Sequence, residues 1–302
     1  MIFSSISYRP IPIWEIGPLR LSLHGLFAAV GFLGGALLML REVRRRGFDY
    51  EKAASMLSWA LVGAVVGMRL FTIPAHWTDP GYGFSDVIDL AGDYSILGGM
   101  AGGIGAAILR ARLLNLPVFA LFDMASLGLA LGTVIGRLGD ISIVEHLGSP
   151  TSFFLGYRLK PGYDVAPQHD ALERLCNIDG ICGPYHHTAL YDLLGAAVLL
   201  GLLFWLRRHW VSRRYGQMFA LWVIWYGLQR FSIDFTRLGA ARDGSVADSI
   251  MGPFTGSQWG ALGGAVIGFA LMWWLRRGER VGDEGDIARG ARSGQAAADP
   301  AG

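Results

Sequence analysis

Long apolar stretches separated by short polar ones dominate the chain. Seven of them approach the roughly 20 residues that a helix needs to cross a bilayer. They are Leu21–Leu40, Ala53–Ile73, Tyr94–Leu109, Pro117–Gly136, His187–Leu206, Gln217–Phe235 and Ser257–Leu275. The third is the shortest and the richest in glycine. The pattern predicts an all-α integral membrane protein with seven transmembrane helices over residues 1–277. The longest connection, 138–186, falls between the fourth and fifth spans. Residues 278–302 are rich in Gly, Ala, Asp and Arg and hold no aromatic residue, which predicts a disordered tail. The first 20 residues contain Glu15 and prolines at 10, 12 and 18, without a short apolar core before a small-residue cleavage site. No cleavable signal peptide is expected from them.

Charge orients the spans. Basic residues gather after the first span (Arg41, Arg44, Arg45, Arg46, Lys52), after the third (Arg110, Arg112), after the fifth (Arg207, Arg208, Arg213, Arg214) and after the seventh. The connection from Pro74 to Asp93 has no Lys or Arg but four Asp. The positive-inside rule then places the N-terminus in the periplasm and the C-terminus in the cytoplasm. Seven spans fit that odd parity. The expected location is the bacterial inner membrane, with the long 138–186 loop outside. The net charge is +2, which gives no footprint for nucleic acid. Gly, at 43 of 302 residues, is about twice its usual share. Gly63/Gly67, Gly98/Gly102 and Gly99/Gly103 are spaced for close helix packing. Trp14, Trp77, Trp210, Trp273 and Trp274 suit interfacial anchoring.

Charged residues inside spans are costly and usually face a cavity or a partner. Tyr226, Arg230, Asp234 and Arg237 fall within about 80° of one another on a helical wheel. They place a phenol, two guanidinium groups and a carboxylate on one stripe. An internal Arg230–Asp234 pair with an interfacial Arg237 is the simpler alternative. His187, Tyr191 and Gly195 share a face of the fifth span, where His and Tyr also suit an interface. Arg137 lies between Gly136 and Gly139 at the outer end of the fourth span, followed by Asp140, Glu145 and His146. An Arg there either snorkels to the interface or grips a phosphate bidentately. His24 opens the first span. Asp123, deeper in the fourth, suits a structural pairing with Arg69 or another span. Together these residues predict a site for an anionic lipid headgroup near the outer face. They leave open whether the lipid is carried, sensed or reacted upon.

No nucleotide-binding P-loop, His-Glu-x-x-His or Gly-x-Ser-x-Gly motif is present. The two cysteines, Cys176 and Cys182, lack a common zinc spacing. In an oxidising periplasm they suit a disulfide, and otherwise stand as two thiols.

At these residues the sequence resembles the prolipoprotein diacylglyceryl transferase family, from about Ile16 to Leu275. The resemblance rests on Gly136-Arg137-Leu138-Gly139 followed by Glu145, and on His187-Thr188-Ala189-Leu190-Tyr191. It rests also on Tyr226-Gly227 with Arg230, Asp234 and Arg237, on Leu23-His24-Gly25-Leu26, and on Gln258-Trp259. It implies transfer of the diacylglyceryl group of phosphatidylglycerol to the lipobox Cys thiol of a preprolipoprotein, with release of glycerol-1-phosphate. The implied partners are phosphatidylglycerol, preprolipoprotein signal peptides and the bilayer; no metal or soluble cofactor is implied. By the same resemblance, Arg137 and Arg230 hold the phosphate, and His24 or His187 accepts the thiol proton. Tyr226 and Asp234 orient Arg230. Asp140, Glu145, Tyr191, Arg237, Gly98 and Gly99 join the substrate-binding set. The chain departs from the family pattern at Asp140, where Asn is frequent, and at Asp192 and Asp234, where Glu is common. It has Leu97 where many members carry His. A non-catalytic lipid-binding or lipid-transport protein on the same scaffold is the rival expectation.

Overall fold

The computed structural model describes residues 6–11, 14–16, 19–73, 83, 95–160, 181–210, 213–242 and 250–277. The Pro74–Asp93 connection (apart from residue 83), Trp77, Cys176 and the 278–302 tail lie outside the described residues. Each of the seven apolar stretches coincides with a helix. After the short strands β1 (Trp14–Ile16) and β2 (Leu19–Leu21) come α1 (Leu23–Arg45), α2 (Tyr50–Leu70), α3 (Ile96–Leu113), α4 (Val118–Ser142), α5 (Thr188–His209), α6 (Gln217–Asp234) and, after the short α7 (Leu238–Arg242), α8 (Gly256–Trp274). Five of them, α1, α2, α4, α5 and α8 with its 3-10 extension, are long and apolar enough to cross a membrane. Gln229, Arg230 and Asp234 in the last turns of α6 lower its apolar character. The chain is therefore a mostly helical membrane protein.

Local chemistry sets the helix ends. The Asp49 side chain accepts from Lys52 N at 3.0 Å and caps α2. Ser95 does the same for α3, accepting from Gly98 N at 3.1 Å. A reciprocal capping box of Thr255 and Gln258 starts α8. Gly47, at φ 74°, turns the chain between α1 and α2.

The chain divides into two compact units, Met1–Leu38 with Ala125–Val281, and Met39–Met124 with Gly282–Gly302. In the second, α2 and α3 pack closely through glycine. A Cβ on Gly67 would lie 2.2 Å from the Gly98 carbonyl oxygen, and one on Gly98 would lie 2.3 Å from that of Gly67. Backbones at this distance exclude any side chain at either position. Gly99 meets Met68 in the same seam.

The first unit holds the ends of α1 and α4 together with α5, α6 and α8. It also holds structure that apolar periodicity did not predict. Within the 138–186 region, α4 continues to Ser142, and β3 (Leu147–Pro150), β4 (Tyr157–Leu159) and β5 (Cys182–His187) form an antiparallel sheet in the order β3-β5-β4. Leu147 pairs with His187, and Tyr157 with Tyr185. The strands are three to six residues long, too short to show a period of two clearly. Val144, Leu147, Tyr157, Leu159, Cys182 and Tyr185 form a small core under this sheet. Cys182 is disulfide-bonded. Residues 6–11 lie along the sheet: Ile6 N donates to Gly156 O at 2.8 Å, and the Tyr157 hydroxyl donates to Tyr8 O at 2.6 Å.

Candidate active site

The charged residues expected to act together all belong to the first unit, at matching helix ends. His24 stands at the start of α1 and Asp192 in the first turns of α5. Arg137 and Asp140 stand at the end of α4, and Arg230 and Asp234 at the end of α6. Arg237 follows in a 3-10 turn.

Gly139 permits the first contact. A Cβ there would lie 2.9 Å from His24 Cα, so only glycine lets α4 approach α1 this closely. Asp140 then reaches His24, whose Nδ1 lies 2.5 Å from Asp140 Oδ1 and 3.4 Å from Glu145 Oε2. Carboxylates only accept, so Nδ1 carries the proton and Nε2 is the basic nitrogen. The His24 side chain is 49% exposed, which leaves that nitrogen reachable. Asp140 Oδ2 accepts from Arg137 Nη1 at 2.5 Å, and Arg137 Nη2 lies 2.8 Å from Asp192 Oδ2. Arg137 is thus stretched between two carboxylates on different helices, not snorkelling alone.

Asp192 is itself held. Gln229 Nε2 donates to its carboxylate at 3.0 Å and to its backbone carbonyl at 2.9 Å. Trp225 Nε1 donates to Gln229 Oε1 at 2.7 Å and fixes the amide. The Tyr226 ring stacks on Trp222 at 5.4 Å, and its phenol lies within electrostatic reach of Arg137. A small cavity lies among Ala130, Thr133, Asp192, Trp225, Tyr226 and Gln229.

On α6 the expected stripe forms. Asp234, fully buried, lies 3.2 Å from Arg230 and 3.6 Å from Arg237, and accepts from Ser257 Oγ at 2.5 Å. Ser257 is placed by the capping box that starts α8. One buried carboxylate therefore aligns two guanidinium groups while its second oxygen is taken by a hydroxyl.

His187 is set apart from this cluster. It is the last residue of β5, not the first of the span, and is 1% exposed. The Tyr8 hydroxyl donates to Ile141 O at 2.5 Å, so His187 Nε2 is the donor to Tyr8 at 2.8 Å. Nδ1 is buried without a partner among the described residues. Burial holds its pKa down to about 4. This sealed ring braces the sheet, whereas His24 is half exposed. Tyr191 packs against Phe153 at 5.9 Å between ring centres, and its hydroxyl lies 3.1 Å from His186 Nδ1. Gly98 and Gly99 lie in the second unit, where packing against α2 accounts for them.

Sequence reasoning left out Tyr8, Gln229 and the side chain of Ser257. Burial pushes the His146 imidazole down to about 4. His24, Asp140 and Glu145 bring potential metal-ligand atoms within 4.8 Å of one another. The Arg137 guanidinium already bonds to Asp140 and offsets its charge, and His24 Nδ1 is taken by the same carboxylate. The trio therefore reads as an ion-paired hydrogen-bond cluster.

Arginines aligned by buried carboxylates at a membrane-helix end suit a phosphate, because guanidinium groups match its geometry and keep their charge. Known proteins point the same way. The sequence model of prolipoprotein diacylglyceryl transferase matches residues 12–274. The phosphatidylglycerol–prolipoprotein diacylglyceryl transferase of Synechococcus elongatus is 30% identical over 93% of this chain and 92% of its own. That of Geobacillus kaustophilus is 31% identical over 74% of this chain and 79% of its own. That of Gloeobacter violaceus is 28% identical over 88% and 92%. Extended over nearly the whole chain and over every segment that builds the cluster, this similarity shows that the chain belongs to the prolipoprotein diacylglyceryl transferase family.

Proposed function

We propose that the arginine cluster is the phosphate cradle of diacylglyceryl transfer, and that His24 is the base that activates the acceptor thiol. The protein is a membrane transferase of lipoprotein biosynthesis whose substrates are phosphatidylglycerol and prolipoproteins. Arg137, Arg230 and Arg237 bind the phosphate of phosphatidylglycerol. His24 Nε2 takes the proton of the lipobox thiol, since the thiolate is the nucleophile. The sulfur attacks the glyceryl carbon next to the phosphate, the carbon–oxygen bond breaks, and glycerol-1-phosphate leaves with the electron pair. The phosphate charge grows from one to two in that step. Fixed guanidinium groups in a poorly hydrated site stabilise the growing charge without reorganising.

Asp140 serves both halves of the chemistry, aligning Arg137 and holding His24 in the tautomer that exposes Nε2. This double role, read from two 2.5 Å contacts, carries the proposal. Asp192 with Gln229 fixes the other side of Arg137, and Asp234 with Ser257 aligns Arg230 and Arg237. Glu145 supports His24, and Tyr226 faces the cradle beside Arg137.

We place all seven long helices across the inner membrane, with the site on the periplasmic side. Basic residues in the last turns of α1, α3 and α5 and in the 3-10 turn after α8 support this orientation. The signal peptide of the prolipoprotein then presents its cysteine at the outer face.

Complementation of a bacterium depleted of its own transferase tests the function. Rescue is expected. A correctly inserted, well-expressed chain that binds anionic lipid but neither rescues growth nor releases glycerol phosphate contradicts it.

A further inference from the structure

The hairpin that precedes α8 plays no part in the mechanism above. It consists of β6 (Ile250–Met251) paired antiparallel with β7 (Phe254–Thr255). Gly252, at φ 70°, lets the chain reverse over Gly252-Pro253. The hairpin folds back onto α6 and α8. Trp259 Nε1, in the first turn of α8, donates to Met251 O at 2.9 Å. The Phe254 ring meets Trp259 at 5.1 Å and Phe231 at 5.2 Å between centres, edge to face, and Phe235 at 6.0 Å. Phe231 and Phe235 stand one residue on from Arg230 and Asp234, about 100° around α6. The base of the hairpin reaches the arginine stripe itself. Ser257 gives its hydroxyl to Asp234, so Thr255 Oγ1 is the donor to Ser257 Oγ at 3.0 Å.

The outer side of this cluster is apolar and open. Met251 is 60% exposed, and Phe235 and Trp259 are exposed beside it. Met251 stands opposite Phe254 in the ladder, so their side chains share a face. The Trp259–Met251 hydrogen bond fixes the depth of the patch. It holds the hairpin level with the first turn of α8, which with its 3-10 turn is long and apolar enough to cross a membrane. The patch also continues down that helix. Val266 and Trp273, seven and fourteen residues on from Trp259, are both exposed. Each step of seven returns to within about 20° of the same side. Trp259 thus heads one continuous apolar stripe, and in a spanning helix such a stripe faces acyl chains. Its end lies at the membrane boundary, a level that suits an indole.

We propose that the β6–β7 hairpin is a lipid-seated lip on the phosphate cradle. Met251, Phe235 and Trp259 lie against the acyl and glyceryl part of a phospholipid, in the leaflet at the arginine end of the bundle, and bring its phosphate to Arg230. For the role of that lipid this rests on the phosphate-cradle reading. Adjoining faces of one helix then make the two kinds of contact: Arg230 and Arg237 the polar one, Phe231 and Phe235 the apolar one. The link through Thr255, Ser257 and Asp234 keeps the lip in register with Arg230.

Spin labelling of the full chain in phosphatidylcholine vesicles tests the seat of the hairpin. The chain has two cysteines and Cys182 is disulfide-bonded, so an introduced thiol takes the label. Met251→Cys carries the nitroxide on an exposed side chain. Lys160→Cys carries it just beyond β4, where Leu159 pairs with Cys182 at the end of the sheet away from α5. The label at 251 is expected to relax with dissolved oxygen and to be shielded from a water-soluble nickel chelate about fivefold or more relative to the label at 160. Equal access of the chelate to both positions overturns the proposal. So does shielding at 251 that arises only when a lipobox peptide is added, which assigns the hairpin to the peptide. Met251→Asp is expected to raise KM for vesicular phosphatidylglycerol by about three- to tenfold and to lower kcat less, with Met251→Leu restoring KM. A loss confined to kcat, or no change in KM, also overturns it. Shielding at 251 in a protein that releases no glycerol phosphate upholds the lipid seat and contradicts the cradle alone.

Discussion

Asp140 holds Arg137 at 2.5 Å on one carboxylate oxygen, while its other oxygen holds His24 at 2.5 Å. A single buried side chain thereby couples the proposed anion-binding group to the proposed proton acceptor. Arg137 completes its own geometry on Asp192, 2.8 Å away on another helix. The guanidinium spans two carboxylates in fixed directions, which an ammonium cannot reproduce. Arg137→Lys retains the charge but loses the fork. It is expected to lower kcat/KM by about 100-fold, or roughly 2.7 kcal/mol. Glycerol-phosphate release from phosphatidylglycerol vesicles with a lipobox peptide measures it.

Among the described residues Gln229 hydrogen-bonds to one charged side chain, Asp192, and it sets the position of that carboxylate. Gln229→Leu leaves Asp192 and Arg137 in place but frees their orientation. The expected result is a fall in kcat/KM of about tenfold, partly restored by Gln229→Asn, with little change in melting temperature. An equal loss in both variants would assign Gln229 to packing alone.

The two histidines of the resemblance separate by accessibility. His24→Ala is expected to lower the rate of transfer by about 100-fold or more and to remove the acidic limb of the kcat/KM profile. His187→Phe keeps the ring volume inside the sheet core and is expected to retain most of the activity. A reversal of these two results would return the base to His187.

Stability should depend on acid through the same buried rings. His187 and His146 are both held down to about 4, against an ordinary value near 6.5. Below 6.5 the unfolded chain binds protons that the folded site refuses. Stability is therefore full above pH 6.5 and is lost as pH falls towards 4, by up to about 3 kcal/mol for His187 alone. Melting of detergent-solubilised protein across that window should show the loss. His187→Phe should flatten it.

The spans were legible because crossing a bilayer demands long apolar runs, which composition alone reveals. Arg230, Asp234 and Arg237 were legible for a related reason: helical spacing places them together without tertiary information. The links that complete the site were not. Asp140 finds His24, and Arg137 finds Asp192, across more than 50 residues of chain, and only the packed structure sets such pairs. Gln229 looked like one more polar residue on α6. The small sheet escaped because its strands are too short for a pattern. Glycine was read correctly as a packing residue in general, but the close approach of Gly139 to His24 depends on the neighbouring helix.

The central claim is that Arg137 and Arg230 stabilise the phosphate as it leaves. Single-turnover release of glycerol phosphate from bound phosphatidylglycerol tests it most directly, with Arg137→Ala and Arg230→Ala compared at equal, verified folding. Each variant is predicted to slow release by about 100- to 1,000-fold, the usual effect of removing one donor to a developing negative charge. Release at the wild-type rate from both would contradict the account.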